Sequence, residues 1–331
     1  MKVATGTRAR VLAACVSLVV VLSGCAPTGD ESQQIDPVVE PFPVLQTYPD
    51  IDVLENLDFG AGADAEGRVI LLDVCLPQVD ARPASVSVGP AAETAISPSA
   101  RPVVVSVHGG SWRQGDKANL YWRSVCQWLA SEGFVSVSVN YRLAPENPFP
   151  AGIDDVRRAV SWLRADAQVE RFGIDPERIG AFGGSAGGNL VSLLGLDGGG
   201  DLTGGPRVAA VVNLSGPIDL TTDGFALGGV VPTFRQVQLD YLGCASYTAC
   251  PQARAASPLY SVSEGDPPFF VAHSLDEVIP VEQSDALVEA LREAGVDTTY
   301  VTVEGKLHSI AMLDDAMRVR IIDFLKDKLG S

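Results

Sequence analysis

Residues 179–188 read Ile-Gly-Ala-Phe-Gly-Gly-Ser-Ala-Gly-Gly. A short apolar run, Arg178–Phe182, enters small residues around Ser185, and a helical apolar pattern follows over Ala186–Leu196. That order predicts a strand, a tight turn and a helix. A serine on such a turn is strained and exposes its hydroxyl, and small neighbours let the backbones pass closely. The helix start adds free N–H groups and a positive dipole end. Ser185 is therefore the candidate nucleophile. Ala186 N–H is a candidate donor toward developing negative charge, and Gly183 and Gly187 shape the turn. Gly-x-Ser-x-Gly alone is weak, because glycine supplies 33 of the 331 residues; the strand before it and the helix after it give it weight.

The same alternation extends in both directions. Strand patterns occupy Arg68–Leu76, Pro102–Val107, Phe134–Val139, Val208–Leu214, Pro268–His273 and Thr298–Val303. Helical patterns occupy 118–131, Asp154–Asp166, Val281–Ala294 and 309–329; in the second, Val156, Ala159, Val160 and Leu163 recur at helical spacing. The run PVVVSV is almost continuously apolar and β-branched, as in a strand covered on both faces. Strands alternating with helices imply an α/β fold with a mostly parallel central sheet and helices on both faces, here over residues 51–331. Pro77–Ser99 reads as a surface loop. Residues 217–260 break the rhythm and are expected over the active face, as a pocket wall or partial lid.

The chain has three histidines. His108 opens His108-Gly109-Gly110-Ser111-Trp112, directly after a strand. Glycine-rich backbone there can aim N–H groups at an oxyanion, so Gly110 and Ser111 join Ala186 as expected donors. His108 and Gly109 are read as shaping that loop. His273 ends an apolar strand and reads as a packed residue. His308, between the last strand and the last helix, is the expected general base. Asp276 is the expected orienting acid, with its neighbour Glu277 the alternative. The order Ser185, Asp276, His308 suits a strand–turn–helix nucleophile.

These residues resemble the α/β-hydrolase superfamily from about Leu54 to Leu329. His108–Trp112 with Arg113-Gln114-Gly115-Asp116-Lys117, Leu72-Asp73-Val74-Cys75-Leu76-Pro77, Tyr141-Arg142-Leu143-Ala144-Pro145-Glu146 and Gly173–Gly180 are similar to HGGxW carboxylesterases of the feruloyl/acetyl-xylan esterase-like and hormone-sensitive-lipase-like groups. The resemblance implies carboxylic ester hydrolysis with modest acyl groups, a small-molecule or glycan ester as substrate, and no metal or organic cofactor. It leaves two alternatives: an amidase or peptidase of the same fold, and a catalytically silent binding protein. Arg142, Asp155 and Glu146 are read as structural.

The N-terminus carries a separate signal. Lys2, Arg8 and Arg10 precede the twelve-residue apolar run Val11–Leu22, which is short for a bilayer span. Leu22-Ser23-Gly24-Cys25 resembles the lipobox of bacterial lipoproteins. The expected organisation is a signal peptide at 1–24, lipidation of Cys25 and a flexible tether over 25–50. The protein is then exported and held by membrane lipid at the outer face of the cell membrane. The formal net charge is −17, and removal of three basic residues with the leader would leave −20. Such a charge opposes nucleic-acid binding. Of six cysteines, Cys244 and Cys250 enclose a short polar loop and are expected to pair in an oxidising compartment. Cys75 and Cys126 either pair or are small buried hydrophobes. None of the four has the spacing of a zinc site.

Overall fold

The computed structural model describes residues 46–78, 100–196, 201–202 and 204–330. The expected leader, Cys25, most of the tether and residues 79–99 of the expected loop lie outside them. The apolar runs become one eight-stranded sheet: β1 (Asp52–Ala63), β2 (Val69–Leu76), β3 (Arg101–Val107), β4 (Val135–Val139), β5 (Ile174–Gly184), β6 (Ala210–Leu214), β7 (Phe269–Ser274) and β8 (Thr298–Val303). Their order is β1-β2-β4-β3-β5-β6-β7-β8. β2 pairs antiparallel with β1 and β4, and every other pairing is parallel.

Alternation along the central strands builds two cores. Val103, Val105 and Val107 face one side with Ala181, Val211, Phe269 and Val271. There they meet α2 (Ala151–Leu163), α4 (Ala186–Gly195) and α7 (Val281–Glu293) through Val156, Leu190 and Leu287. Val104, Phe182, Val212 and Phe270 face the other side, against α1 (Leu120–Ser131) and α8 (Asp315–Leu329) through Trp122, Trp128, Ile321 and Leu325. Both faces are thus closed, which is why the strands read as unbroken apolar runs.

Some elements depart from the sequence pattern. β1 was not expected. Its sequence DVLENLDFGAGA mixes acids and glycines, it is largely exposed, and it pairs on one side only with two register shifts. Only a short stripe, Leu57, Phe59 and Ala61, turns toward the core, between exposed Asp58, Gly60 and Gly62. β5 begins four residues early because Ile174 pairs with Arg101 ahead of a register shift. A short helix, α3 (Asp166–Phe172), follows α2. The last helix starts at Asp315, where the Asp314 side chain accepts from the Met317 N–H at 2.7 Å.

A buried charge cluster fastens the antiparallel edge. Asp73 accepts from Lys117 Nζ (2.6 Å), Arg123 Nη2 (2.7 Å) and the Asn56 N–H (2.8 Å). Asp73 is fully buried and Lys117 nearly so, so each charge depends on its partner for compensation. Arg142 and Asp155 form the expected structural pair, with Arg142 Nη2 2.8 Å from Oδ1; Glu146 is exposed. Segment 217–260 contains α5 (Pro232–Leu242) and α6 (Gln252–Ala255). Both cysteine pairs are disulfides, Cys244–Cys250 and Cys75–Cys126. No helix among the described residues is long and apolar enough to cross a membrane.

Cys75–Cys126 links β2 to α1 across a sequence separation of 51. In the chain-entropy account a loop of that length contributes about 4 kcal/mol. A Cys75→Ala/Cys126→Ala double variant is expected to lose most of that in chemical denaturation, with Cys244→Ala/Cys250→Ala losing less. Equal losses would show that loop length does not govern their contribution.

Candidate active site

The parallel registers pair Val107 with Gly183, Gly184 with Leu214 and Ser274 with Val303. The carboxyl ends of β3, β5, β7 and β8 therefore share one edge of the sheet. Just beyond those ends lie the 108–112 loop, Ser185, residues 276–277 and His308.

Ser185 has φ 57° and ψ −124°, an unfavourable conformation for a residue with a Cβ. Its N–H donates to the Leu214 carbonyl at 2.8 Å, and its own carbonyl accepts from Asn189 N–H at 3.1 Å. The flanking glycines are required by contact. A Cβ at Gly187 would lie 2.0 Å from the Val107 carbonyl oxygen, and one at Gly183 would lie 2.4 Å from the Gly187 oxygen. Gly109 packs directly on the turn, since a Cβ there would lie 2.8 Å from the Gly184 oxygen and 3.2 Å from Ser185 Cβ.

The 108–112 loop is itself strained and braced. Ser111 and Trp112 both have φ 56°, after Gly110 at 122°. Trp112 is buried and stacks on Tyr241 of α5 at 4.2 Å and 6°, with Phe234 at 6.3 Å. Its carbonyl accepts from Ala144 N–H at 2.8 Å. Arg113 pairs with Asp240 of α5 at 3.4 Å. His108 is buried against the Tyr141 ring at 4.4 Å. Its Nδ1 lies 2.8 Å from the Gly109 carbonyl, so Nδ1 carries the proton and donates. Burial pushes its pKa down to about 4, so the ring is neutral at pH 7. The Tyr141 hydroxyl donates to the His108 carbonyl at 3.0 Å. His108 is thus placed to shape the loop.

A cavity of about 630 Å³ opens on this edge, lined by Gly109, Gly110, Ser111, Ser185, His308 and Ser309. Gln114, Asp116, Asn119, Tyr121 and Trp122 extend it. Asn140 Nδ2 and the Ala118 N–H donate to Asp116, and with Lys117 they hold its carboxyl below the usual range against the opposing effect of burial. Ala186 is buried at the start of α4. None of the lining residues comes from 217–260. That segment meets the back of the 108–112 loop through Tyr241 and Phe234, where the sequence led us to expect a pocket wall or lid. Among the described residues no cluster of His, Cys, Asp and Glu could hold a metal ion.

The acid behind His308 requires a correction. The carboxylate that meets His308 Nδ1 is that of Glu277, in a very close contact. Asp276, the expected acid, is exposed, and its N–H donates to the Gly305 carbonyl at 2.9 Å. The turn after β7 therefore directs residue 276 outward and residue 277 inward, where the Glu277 side chain is fully buried. Two adjacent acids on one turn gave no sequence signal for which would point in. Sequence reading also missed the serines that hold the base. Ser274 Oγ donates to the Leu307 carbonyl at 2.5 Å, and the Ser309 N–H donates to Ser215 Oγ at 3.3 Å. Ser215 and Ser309 have φ 53° and 60°. No spacing marks such residues before the turns are folded.

With Nδ1 facing a carboxylate, the His308 proton sits on Nδ1 and Nε2 presents a lone pair. A hydroxyl, an imidazole and glycine-rich backbone in one open cavity, with a buried carboxylate behind the imidazole, suit nucleophilic attack on a carbonyl.

Comparison with known proteins gives the same direction. A family model described as BD-FAE matches residues 93–291. Esterase LipC of Mycobacterium tuberculosis (strain ATCC 25618 / H37Rv) is 35% identical over 231 residues, 65% of this chain and 54% of that protein. The chain spans about half the length of the curated mycobacterial relatives it matches. A solved structure described as a truncated form of a carbohydrate esterase from gut microbiota superposes with a TM-score of 0.67 at 22% identity. It covers 85% of this chain and 97% of its own. Esterase Est2 of Thermogutta terrifontis gives 0.61 at 22% identity, over 85% and 93%. At those identities the likeness is one of fold.

Glu277→Gln is expected to slow fluorophosphonate labelling of Ser185 by about 10²–10⁴-fold, the usual scale of general acid–base assistance. Asp276→Asn should stay within about threefold on that scale. The reverse ranking would restore Asp276 as the acid.

Proposed function

The chain belongs to the BD-FAE family, and on that premise we propose that it hydrolyses carboxylic esters through an acyl-enzyme on Ser185. One observation carries the reading: Ser185 and His308 line the same cavity as the 109–111 backbone, with a buried carboxylate on the far nitrogen of the imidazole. His308 Nε2 takes the Ser185 proton as Oγ bonds to the ester carbonyl carbon. The carbonyl oxygen becomes an oxyanion that accepts from the N–H groups of Gly110, Ser111 and Ala186. Each such donor contributes about 3–4 kcal/mol to the transition state. Glu277 keeps the imidazole in its tautomer and stabilises the imidazolium. The alcohol leaves with the proton from His308. Water, deprotonated by the same nitrogen, then releases the acid and frees Ser185.

The cavity supports a small or sugar-borne ester. Its extension carries amide, carboxylate and hydroxyl groups beside the half-exposed ring of Tyr121. Such a mixture suits a hydroxylated alcohol better than a long alkyl chain. Wild-type protein is expected to turn over p-nitrophenyl acetate and acetylated sugars faster than long-chain esters or matched anilides. Ser185→Ala should lose at least about 10⁴-fold in kcat. Absence of both ester turnover and fluorophosphonate labelling in the wild type would remove the enzyme reading.

Anchoring at the outer face of the membrane through lipidated Cys25 belongs to the same proposal. It is supported by the basic start, the short apolar run and Leu22-Ser23-Gly24-Cys25. Two or three acyl chains, at ~0.8 kcal/mol per buried CH₂, hold a protein at a bilayer. Cys25→Ala is expected to move the protein from the membrane fraction to the soluble one; a variant that stays with the membrane overturns the anchor.

A further inference from the structure

We infer that His273 is a positioning residue for the Glu277 carboxylate, so that the polar relay behind Ser185 extends one imidazole further than the serine, histidine and acid. The inference rests on the hydrolase reading above and deepens it.

His273 is the penultimate residue of β7 and has no solvent exposure. Its Nε2 lies 2.8 Å from the Ile279 carbonyl oxygen and 3.0 Å from Glu277 Oε1. Both neighbours are acceptors, so Nε2 carries the proton; it donates to the Ile279 carbonyl, and Glu277 Oε1 lies beside the same N–H without an aligned hydrogen bond. On the other side of the ring, Nδ1 lies 2.7 Å from Ser284 Oγ in the first turn of α7. Nδ1 is therefore the acceptor and the serine hydroxyl the donor. One ring thus clamps the strand end, the turn and the helix start around a single carboxylate.

Glu277 needs such a clamp. A glutamate has one more torsion than the aspartate expected at this turn, and its carboxylate can swing. One oxygen is engaged by His308 Nδ1. The other has no well-aligned donor among the described residues and lies 3.0 Å from His273 Nε2. The ionisable groups acting on His273 are Glu277, His308 and Asp285 of α7. Burial dominates among these influences and keeps the ring neutral by lowering its pKa. The positive end of a neutral N–H dipole 3.0 Å from Oε1 favours this placement of Glu277 without competing for its charge, which remains available to the His308 imidazolium.

The test is steady-state ester hydrolysis against pH, normalised to active sites titrated with a fluorophosphonate. His273→Phe is expected to lower kcat at least about tenfold, a part of what acid–base assistance contributes, with KM nearly unchanged. A worse-placed carboxylate stabilises the imidazolium less, so the acid limb of kcat/KM should move to lower pH. His273→Gln, which can offer an N–H from the same place, should recover both. Ser284→Ala removes one hydrogen bond with little change in volume and should move the limb less, in the same direction. It serves where the phenylalanine variant does not fold. An unmoved limb in the folded variants overturns the role of His273 and leaves the esterase reading intact; a wild type without ester turnover overturns that reading itself.

Discussion

The Cα of Gly187 lies so close to the end of β3 that a methyl group there would stand 2.0 Å from the Val107 oxygen. This contact between a helix start and a neighbouring strand end governs the rest of the site. It draws the first turn of α4 under the 108–112 loop and sets the Ser185 side chain beside Gly109. The parallel sheet makes it possible, because adjacent strands stop at the same edge and deliver their loops together. Once β3 and β5 are joined there, β7 and β8 can add an acid and a base only from the same side.

The bracing around that contact differs from part to part. The loop of His108 is held by aromatic stacking, through Tyr141 on one ring and Tyr241 on another. The base is held by serine hydroxyls on neighbouring backbone. The antiparallel edge is held by buried charge and by Cys75–Cys126. Segment 217–260 belongs to the first group: Asn189 Nδ2 ties it to α4 by donating to the Pro217 and Ala256 carbonyls, both at 3.1 Å. Its described contacts support the 108–112 loop from behind.

Parts of the molecule governed by burial were legible in the sequence. Continuous β-branched runs announced the central strands, and small residues between a strand and a helix announced Ser185. His308 followed from its place after the last strand. What escaped was governed by local backbone direction. The inward stripe of β1, Leu57, Phe59 and Ala61, is short and set among exposed acids and glycines, so the period-two pattern did not stand out. Asp276 and Glu277 are chemically near-equivalent neighbours, and a turn decides which enters the protein. The role of 217–260 was misjudged because chain position above a sheet edge does not tell front from back; the aromatic side chains of α5 do, once Trp112 is seen against them.

Among the described residues six non-glycines have positive φ, and four of them, Ser111, Trp112, Ser185 and Ser309, lie in or beside the cavity, with Ser215 bonded to Ser309. At roughly 1–3 kcal/mol each, they concentrate conformational tension where the chemistry is. Evolution toward greater heat tolerance therefore meets a divided molecule. Relaxing these turns with glycine would gain rigidity elsewhere only by slackening the one region that must stay taut. Durable gains have to come from the far edge and the helical faces, which leaves the reactive rim an island of inherited strain.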